Sequence, residues 1–528
     1  MTNKRDGGFR WRYALILLTV TCFVGLVSIN SHAATYYIPN DFSNLQAAFA
    51  RMSGGDTLVI KSGTYTGSSN AITNNVRPPR GSTGSYTTIR AEVDGGVIFD
   101  GQNVRNMFTV STGTTSYTDH YWKFEGIEWK NTPGSNVGMN GGAHVKFLRC
   151  GFSQDNADGA GANAYMRYSQ YILFEDCYAY GGKRYKFQFA AGSDTAPTRY
   201  NIFRRCVARL DNVHASDNIG GFIFYSSRNC EAQNCIVIDS NMSSDWTYAL
   251  HQGSFGVPAT MGPSTNHFFR GNIALNNHFG GFFTASNDVT SATYINNICW
   301  DTGAYNNGSG GRPNWFRGGG YAGARKELYN FTFGVCSGDG SPGVRAEGNE
   351  IAILKNSIIT RFAMSQAVGD IATQNYNAYY ANNYNGNAGK NDVTNVNILA
   401  ASLRYLPRIE DGSPLKGRGE NGADIGANVL KRIGVSGTLY SEPGYNETTN
   451  INLWPFPNED LIRSKMRAYN YNVDGVQISG RRGFCADGQT LTKYIWEYLG
   501  NPIPPVIYGS QGDVTPPESP TGIDVQVN

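Results

Sequence analysis

The chain has 528 residues, with 44 Lys and Arg against 41 Asp and Glu, 40% hydrophobic residues, 13% aromatics and 64 glycines. The first 33 residues hold four of the basic side chains and one of the acidic ones, so the remainder carries forty of each and is formally neutral. A neutral chain lacks the basic excess that phosphate binding requires, which excludes nucleic acid as the main partner. Low charge, modest hydrophobicity and abundant Gly, Asn and Tyr suit an elongated β-solenoid with a thin core.

The N-terminus reads as an export signal: Lys4, Arg5, Arg10 and Arg12 lead into an apolar run from Tyr13 to Ile29, and Ser31-His32-Ala33 fits a cleavage site. The mature protein is expected to begin near Ala34, to be secreted and soluble without a membrane anchor, and to be a monomer. Eight of the nine cysteines remain after processing, in a compartment where disulfides form. Asn44 to Met52 has helical apolar spacing and predicts a short cap over the open edge of whatever sheet follows.

From Gly126 onward a register mark keeps returning, at Cys150, Cys177, Cys206, Cys235, Asn272, Asn297, Asn330 and Asn356, with separations of 24, 27, 29, 29, 37, 25, 33 and 26 residues. Short β-branched and aromatic strands with Gly, Asn or Asp at every corner and a period of this length predict the stacked coils of a parallel β-helix. Equivalent residues of successive coils then lie about 4.8 Å apart. The Cys and Asn row is therefore expected to face inward as one ladder, its cysteines packed as thiols and its amides satisfying one another.

Leu45-Gln-Ala-Ala-Phe49, Gly55-Asp-Thr-Leu-Val-Ile-Lys-Ser-Gly-Thr-Tyr65, Tyr86-Thr-Thr-Ile-Arg-Ala-Glu92 and Val97-Ile-Phe-Asp-Gly101 resemble the opening of secreted right-handed β-helix proteins of the pectate-lyase-like superfamily, above all its chondroitinase-B and alginate-lyase branch. Ser413-Pro-Leu-Lys-Gly417 and Gly422-Ala-Asp-Ile-Gly426 resemble the closing segment of such chains. The resemblance implies a right-handed parallel β-helix over residues 34–428 and a lyase acting on an acidic polysaccharide. In that branch a Lys and an Arg from adjacent coils serve as base and acid, and Lys186 and Arg209 are the positions to compare. The Asn-Gly-x-Glu signature of the branch is missing here, as are the motif sets of polygalacturonases and of the commonest pectate lyases.

Alternate residues of a strand face outward. With Met166, Phe189, Phe224 and Leu250 aligned as inward residues, one outward row reads Arg167, Ala190, Tyr225, His251, and the row two residues earlier reads Tyr165, Gln188, Ile223, Ala249. β-Elimination of a uronic-acid polymer needs a cation to neutralise the carboxylate, a base for the C5 proton and an acid for the leaving oxygen. Arg167 fits the first role, His251 and Tyr225 divide the other two, and the alanine between leaves a hollow for a sugar. A second cluster sets Lys183, Arg184 and Lys186 against Arg209, Asp211, His214 and Asp217. Lys183, Arg184, Gln188, His214 and Trp246 are expected to contact substrate, and Trp300 and Trp315 to extend an aromatic groove. Ca²⁺ is the candidate cofactor, with Asp211 and Asp217 as its ligands and Asp155, Asp158, Asp239 and Asp245 as further corner carboxylates. Two other readings stay open: a non-catalytic glycan-binding surface protein, and a glycoside hydrolase, which would need two facing carboxylates.

Beyond the solenoid, 429–508 predicts an appendage with helices over Asn458–Ala468 and Thr490–Leu499. Residues 509–528 read as a proline-rich tail.

Overall fold

The computed structural model describes residues 33–500 apart from 193–195, 213–218, 241–252, 260, 278–279, 287, 303–322, 337–342, 346–350, 363–366, 370, 387, 395, 398–402 and 474–475, and apart from the side chains of 156–160, 285–286, 336, 345, 473 and 476. Residues 1–32 of the expected export signal and the expected tail lie outside the described residues.

Parallel strands dominate the chain. Among the described residues one sheet holds thirteen strands, from Thr35–Ile38 to Thr373–Asn375, each paired with the strand one coil further on. The remaining faces of the coil pair in the same coil-to-coil way, as with Gly151–Arg167 on Tyr178–Ala190. This is the expected right-handed parallel β-helix. The cap is present as α1, Leu45–Phe49, whose Leu45, Ala48 and Phe49 are buried and whose N-cap Asn44 accepts from the Ala47 N–H.

Aromatic columns fill the interior. Phe124, Phe147, Phe174 and Phe203 stack coil on coil with ring centroids 5.2, 4.7 and 5.8 Å apart. Across the core, Phe187, Phe222, Phe255 and Phe282 form a second column at 4.9, 5.3 and 4.7 Å. Rings at these spacings add favourable quadrupolar contact to their burial.

The register mark resolves into two neighbouring rows. Strand pairing places Gly126, Arg149, Asp176, Arg205, Asn234, Gly271, Asn296, Asn330 and Asn356 at one corner, all with positive φ. The inward ladder is the next position: Cys150, Cys177, Cys206, Cys235, Asn272, Asn297, Phe331, Ser357 and Asn377. Asn330 and Asn356 thus belong to the corner and not to the ladder, because Asn is favoured by both sites: its short amide tolerates left-handed backbone and also fits an inward turn. The ladder cysteines are buried free thiols. Cys177 Sγ donates to the Phe147 and Glu175 carbonyls at 3.3 Å, and burial pushes the Cys177 and Cys235 thiols up in pKa.

Above the thiols the amides take over. Asn297 Oδ1 accepts from the Asn272 backbone N–H at 2.9 Å and from its Nδ2 at 3.0 Å, while Asn297 Nδ2 donates to the Phe269 carbonyl at 2.9 Å. Asn297→Ala strips the buried Asn272 N–H and Phe269 carbonyl of this amide, while Asn272 Nδ2 keeps only its bond to the Ala232 carbonyl at 2.9 Å. The expected cost is about 3 kcal/mol or more, read as a lowered urea midpoint at unchanged m-value.

The C-terminal stretch returns along the solenoid. From Glu420 to Gly437 the chain runs back down the corner row, bonded in turn by Asn356 (Oδ1 to the Glu420 N–H, 2.8 Å), Asn330 (Nδ2 to the Asp424 carbonyl, 2.8 Å), Asn296 (Oδ1 to the Asn428 N–H, 3.3 Å), Asn234 (Oδ1 to the Ile433 N–H, 2.7 Å) and Arg205 (Nη2 to Ser436 Oγ, 3.0 Å). Beyond this strap come α2, Glu459–Ala468, and α3, Leu491–Tyr498, the latter capped by Thr490 Oγ1 on the Lys493 N–H. Their apolar faces join Tyr178, Ile236, Ile273 and Trp300 of the solenoid in a second core. Trp300 is therefore buried and not part of an aromatic groove.

Candidate functional site

Strand register decides which outward residues meet. Arg167 lies opposite Ala190 and Tyr165 opposite Gln188. On the next coil Gln188 lies opposite Ile223, and the Tyr225 N–H donates to the Phe189 carbonyl. The row Arg167, Ala190, Tyr225 is thus real, and Met166, Phe189 and Phe224 behind it are buried.

One coil further the register departs from expectation. Gly253 pairs with Gly220, Phe255 with Phe222 and Gly256 with Ile223. Continuing that register puts Val257 above Phe224, where Leu250 was expected, and Pro258 above Tyr225, where His251 was expected; the Ser226 N–H donates to the Pro258 carbonyl. Leu250 and His251 precede this strand and lie outside the described residues, as do His214, Asp217, Asp245, Trp246 and Trp315.

A hollow of about 340 Å³ opens over the row. Two arginines (Arg167, Arg184), three phenols (Tyr165, Tyr185, Tyr225) and the Gln188 amide line it, above small residues that include Gly161, Ala162, Ala190 and Ala191. Of the expected site residues, Arg167, Arg184, Gln188 and Tyr225 meet here. Tyr165 and Tyr185 were not singled out as site residues, although Tyr165 lies two residues before Arg167 on the same strand face, which is signal enough to have found it.

Arg167 is held in place by Nε donating to the Ala191 carbonyl at 3.0 Å, with its guanidinium over the Tyr168 ring. Arg184 donates to the Tyr185 hydroxyl at 2.9 Å. Burial raises the Tyr165 phenol above its ordinary pKa, against the opposing pull of the hydrogen-bonded Arg167 cation. Among the described residues that line the hollow none is Asp or Glu, so it presents two cations and no anion. Two cations in one hollow attract an anionic group.

The second cluster is placed elsewhere. Lys186 is buried, and its ammonium donates to the Gly181 and Lys183 carbonyls at 2.7 Å and to Asn212 Oδ1 at 2.8 Å. Lys183 is buried against the Thr132 carbonyl at 2.7 Å, and burial lowers its pKa to about 8. Arg209 is fully buried, with Nε 2.9 Å from Asp211 Oδ1 and its two terminal nitrogens donating to the Gly480 and Met466 carbonyls at 2.9 Å. Lys183 and Lys186 tie neighbouring loops together, and Arg209 fastens the appendage, instead of facing substrate. The appendage partners of Arg209 come from 257 and 271 residues away, which no local pattern discloses.

The same network answers for calcium. Burial alone would raise the Asp211 carboxyl, but Arg209, Arg482 and the Gly181 N–H hold it below the usual carboxylate range. A carboxylate with two guanidinium partners is a poor hard-cation ligand. Asp239 accepts from Asn276, Tyr494 and the Phe484 N–H, and Asp155 from Asn131 and Lys130. The described members of the expected carboxylate set do not fit a Ca²⁺ site, and no cluster of three metal-ligating His, Cys, Asp or Glu occurs among the described residues.

Stacked parallel coils of this kind define a parallel β-helix protein. The chain belongs to the Pel9A-like right-handed β-helix family, whose β-helix region matches residues 26–314, more than half of the sequence. Its fold is similar to that of pectate lyase Pel9A, at 18% identity over 75% of this chain and 96% of that one, with a TM-score of 0.42. It is also similar to an alginate lyase from Paenibacillus sp. str. FPU-7, at 14% identity, 67% and 99% coverage and a TM-score of 0.37. For the A-module of the Azotobacter vinelandii mannuronan C-5 epimerase AlgE4 the values are 12%, 67%, 92% and 0.37. At these identities the likeness concerns the fold. No curated protein sequence matches the chain at a significant level.

Proposed function

We propose that the protein is a polysaccharide lyase that cleaves a uronic-acid polymer by β-elimination in this hollow. The carrying observation is the union of Arg167 and Arg184 with three phenols over an alanine floor. From Arg167 to Tyr225 the row spans two coils, about 10 Å, with Ala190 between them leaving room for a sugar ring. The Arg167 guanidinium pairs with the uronate carboxylate and draws charge out of C5 as the proton leaves. Tyr165, held protonated by its burial, gives its proton to the leaving oxygen as the C4–O bond breaks and the C4–C5 double bond forms. Tyr225, as its phenolate, takes the C5 proton. The export signal read in residues 1–33 suits an extracellular polymer.

The test is the ultraviolet absorbance of the unsaturated product while the mature protein meets alginate, pectate, chondroitin and glucuronan, with and without Ca²⁺. A rise that falls about 10²-fold or more in Tyr165→Phe supports the assignment. A rise untouched by that variant removes Tyr165 from the mechanism. No rise on any polymer, with retention on a polyuronate gel, transfers the hollow to glycan binding without catalysis, a reading its three phenol rings also favour.

A further inference from the structure

One wall of the hollow is an exposed methionine. Met261 is 59% exposed, and of the large hydrophobic side chains exposed among the described residues it is the one that lines this cavity. It stands between the strand that ends at Ala259 and the strand that starts at Ser264, with its N–H donating to Ser226 Oγ at 3.1 Å. Ser226 follows Tyr225 and is itself held, at a left-handed φ, by its N–H on the Pro258 carbonyl at 2.7 Å. The backbone under Met261 is thus fastened to the Tyr225 end of the row, the end away from Arg167. A methionine left half in water at a polar site gains free energy when an apolar group covers it, and its unbranched chain adapts to the shape of that group.

The chemistry of the substrate decides what that group is. With the uronate carboxylate on Arg167, C5 of the bound sugar is turned toward Arg167, and C2, which lies across the pyranose ring from C5, is turned toward Met261. A bare sugar brings only hydroxyls to that end, and a hydroxyl set against the Met261 side chain loses water without gaining a partner. An ester of the carboxylate is excluded as the apolar group, because it removes the charge that pairs with Arg167. An acyl ester on a ring hydroxyl keeps the carboxylate and carries a methyl group to Met261. We infer that the hollow is built for a polyuronate O-acetylated at C2 or C3, with Met261 as the residue that selects the acetyl group. The inference rests on the proposed elimination site and adds to it the substituent pattern of the polymer.

The test uses alginate and pectate, each unmodified and chemically O-acetylated, and compares wild type, Met261→Ser and Met261→Leu by the absorbance of the unsaturated product. Wild type is expected to cleave an acetylated polymer with a kcat/KM that matches or exceeds the value for its unmodified form. Met261→Ser should lower the ratio of the two kcat/KM values about tenfold, the usual worth of one small apolar contact, and Met261→Leu should keep it near the wild-type value. Each ratio is taken within one variant, so a loss of folded protein cancels. A wild type that prefers the unmodified polymers, or a ratio that Met261→Ser leaves unchanged, overturns the inference. If wild type cleaves none of the four, the lyase reading fails by itself, and electrophoresis through gels loaded with each polymer decides the inference: stronger retardation by an acetylated polymer that Met261→Ser abolishes supports it, and equal retardation, or none, overturns it.

Discussion

Arg167→Ala is expected to lower kcat on the polymer that the protein cleaves by about 10²- to 10³-fold, the usual cost of removing one preorganised group from a developing anion. The side chain is already positioned before substrate arrives: Nε is fixed on the Ala191 carbonyl and the guanidinium plane lies over Tyr168. The cation therefore meets the uronate carboxylate without reorganising, and its effect belongs to the transition state, in which the carboxylate takes up charge from C5. Arg167→Lys, which keeps the charge and loses the planar fork, should fall between the two. Steady-state kinetics separates the outcomes. A rise in KM at constant kcat would make Arg167 a binding residue alone and would move the elimination chemistry away from the hollow.

Asp211→Ala should destabilise the fold by about 3–5 kcal/mol at pH 7, because it strands the fully buried Arg209 without its counter-ion. The loss has a defined pH signature. The folded Asp211 carboxyl titrates below its unfolded value of about 3.9, so its contribution is complete above that value and disappears as the pH falls through the folded pKa. The difference between wild type and variant should accordingly shrink in acid. Urea unfolding at pH 7 and at successively lower pH measures both effects. Because Arg209 also bonds the Met466 and Gly480 carbonyls and Arg482 pairs with Asp211, limited proteolysis should cut first within residues 460–490 of the variant. A variant of wild-type stability would show that the appendage docks without this network.

The repeat was legible because each coil needs a left-handed residue followed by a small inward one, and the sequence states that pair again and again. The hollow was legible for the same reason: once the phase is set at Cys150, Cys177 and Cys206, Arg167, Ala190 and Tyr225 fall outward by counting. The phase was lost where the separation jumps to 37 residues between Cys235 and Asn272. There Tyr-Ala-Leu-His resembles the preceding strand, yet the better mark is Gly-x-Phe, which recurs at Gly220 to Phe222, Gly253 to Phe255 and Gly280 to Phe282 and is matched residue for residue in the sheet. Lys186, Arg209 and Asp211 could not be placed by counting at all. Arg209 bonds backbone of the returning C-terminal stretch, Asp211 pairs with Arg482 from the same stretch, and Lys186 is buried on Gly181, Lys183 and Asn212; only the folded chain shows that this cationic cluster is covered ground.

A solenoid whose coils touch only their neighbours unzips from either end, one coil at a time. The strap from Glu420 to Gly437 changes this, because it is fastened to Asn356, Asn330, Asn296, Asn234 and Arg205 on separate coils. Losing any one coil means loosening a fastening shared with the rest. Its consequence is cooperativity: the outer coils inherit the stability of the middle ones, and the molecule resists fraying as a rope does when a second strand is laid along it.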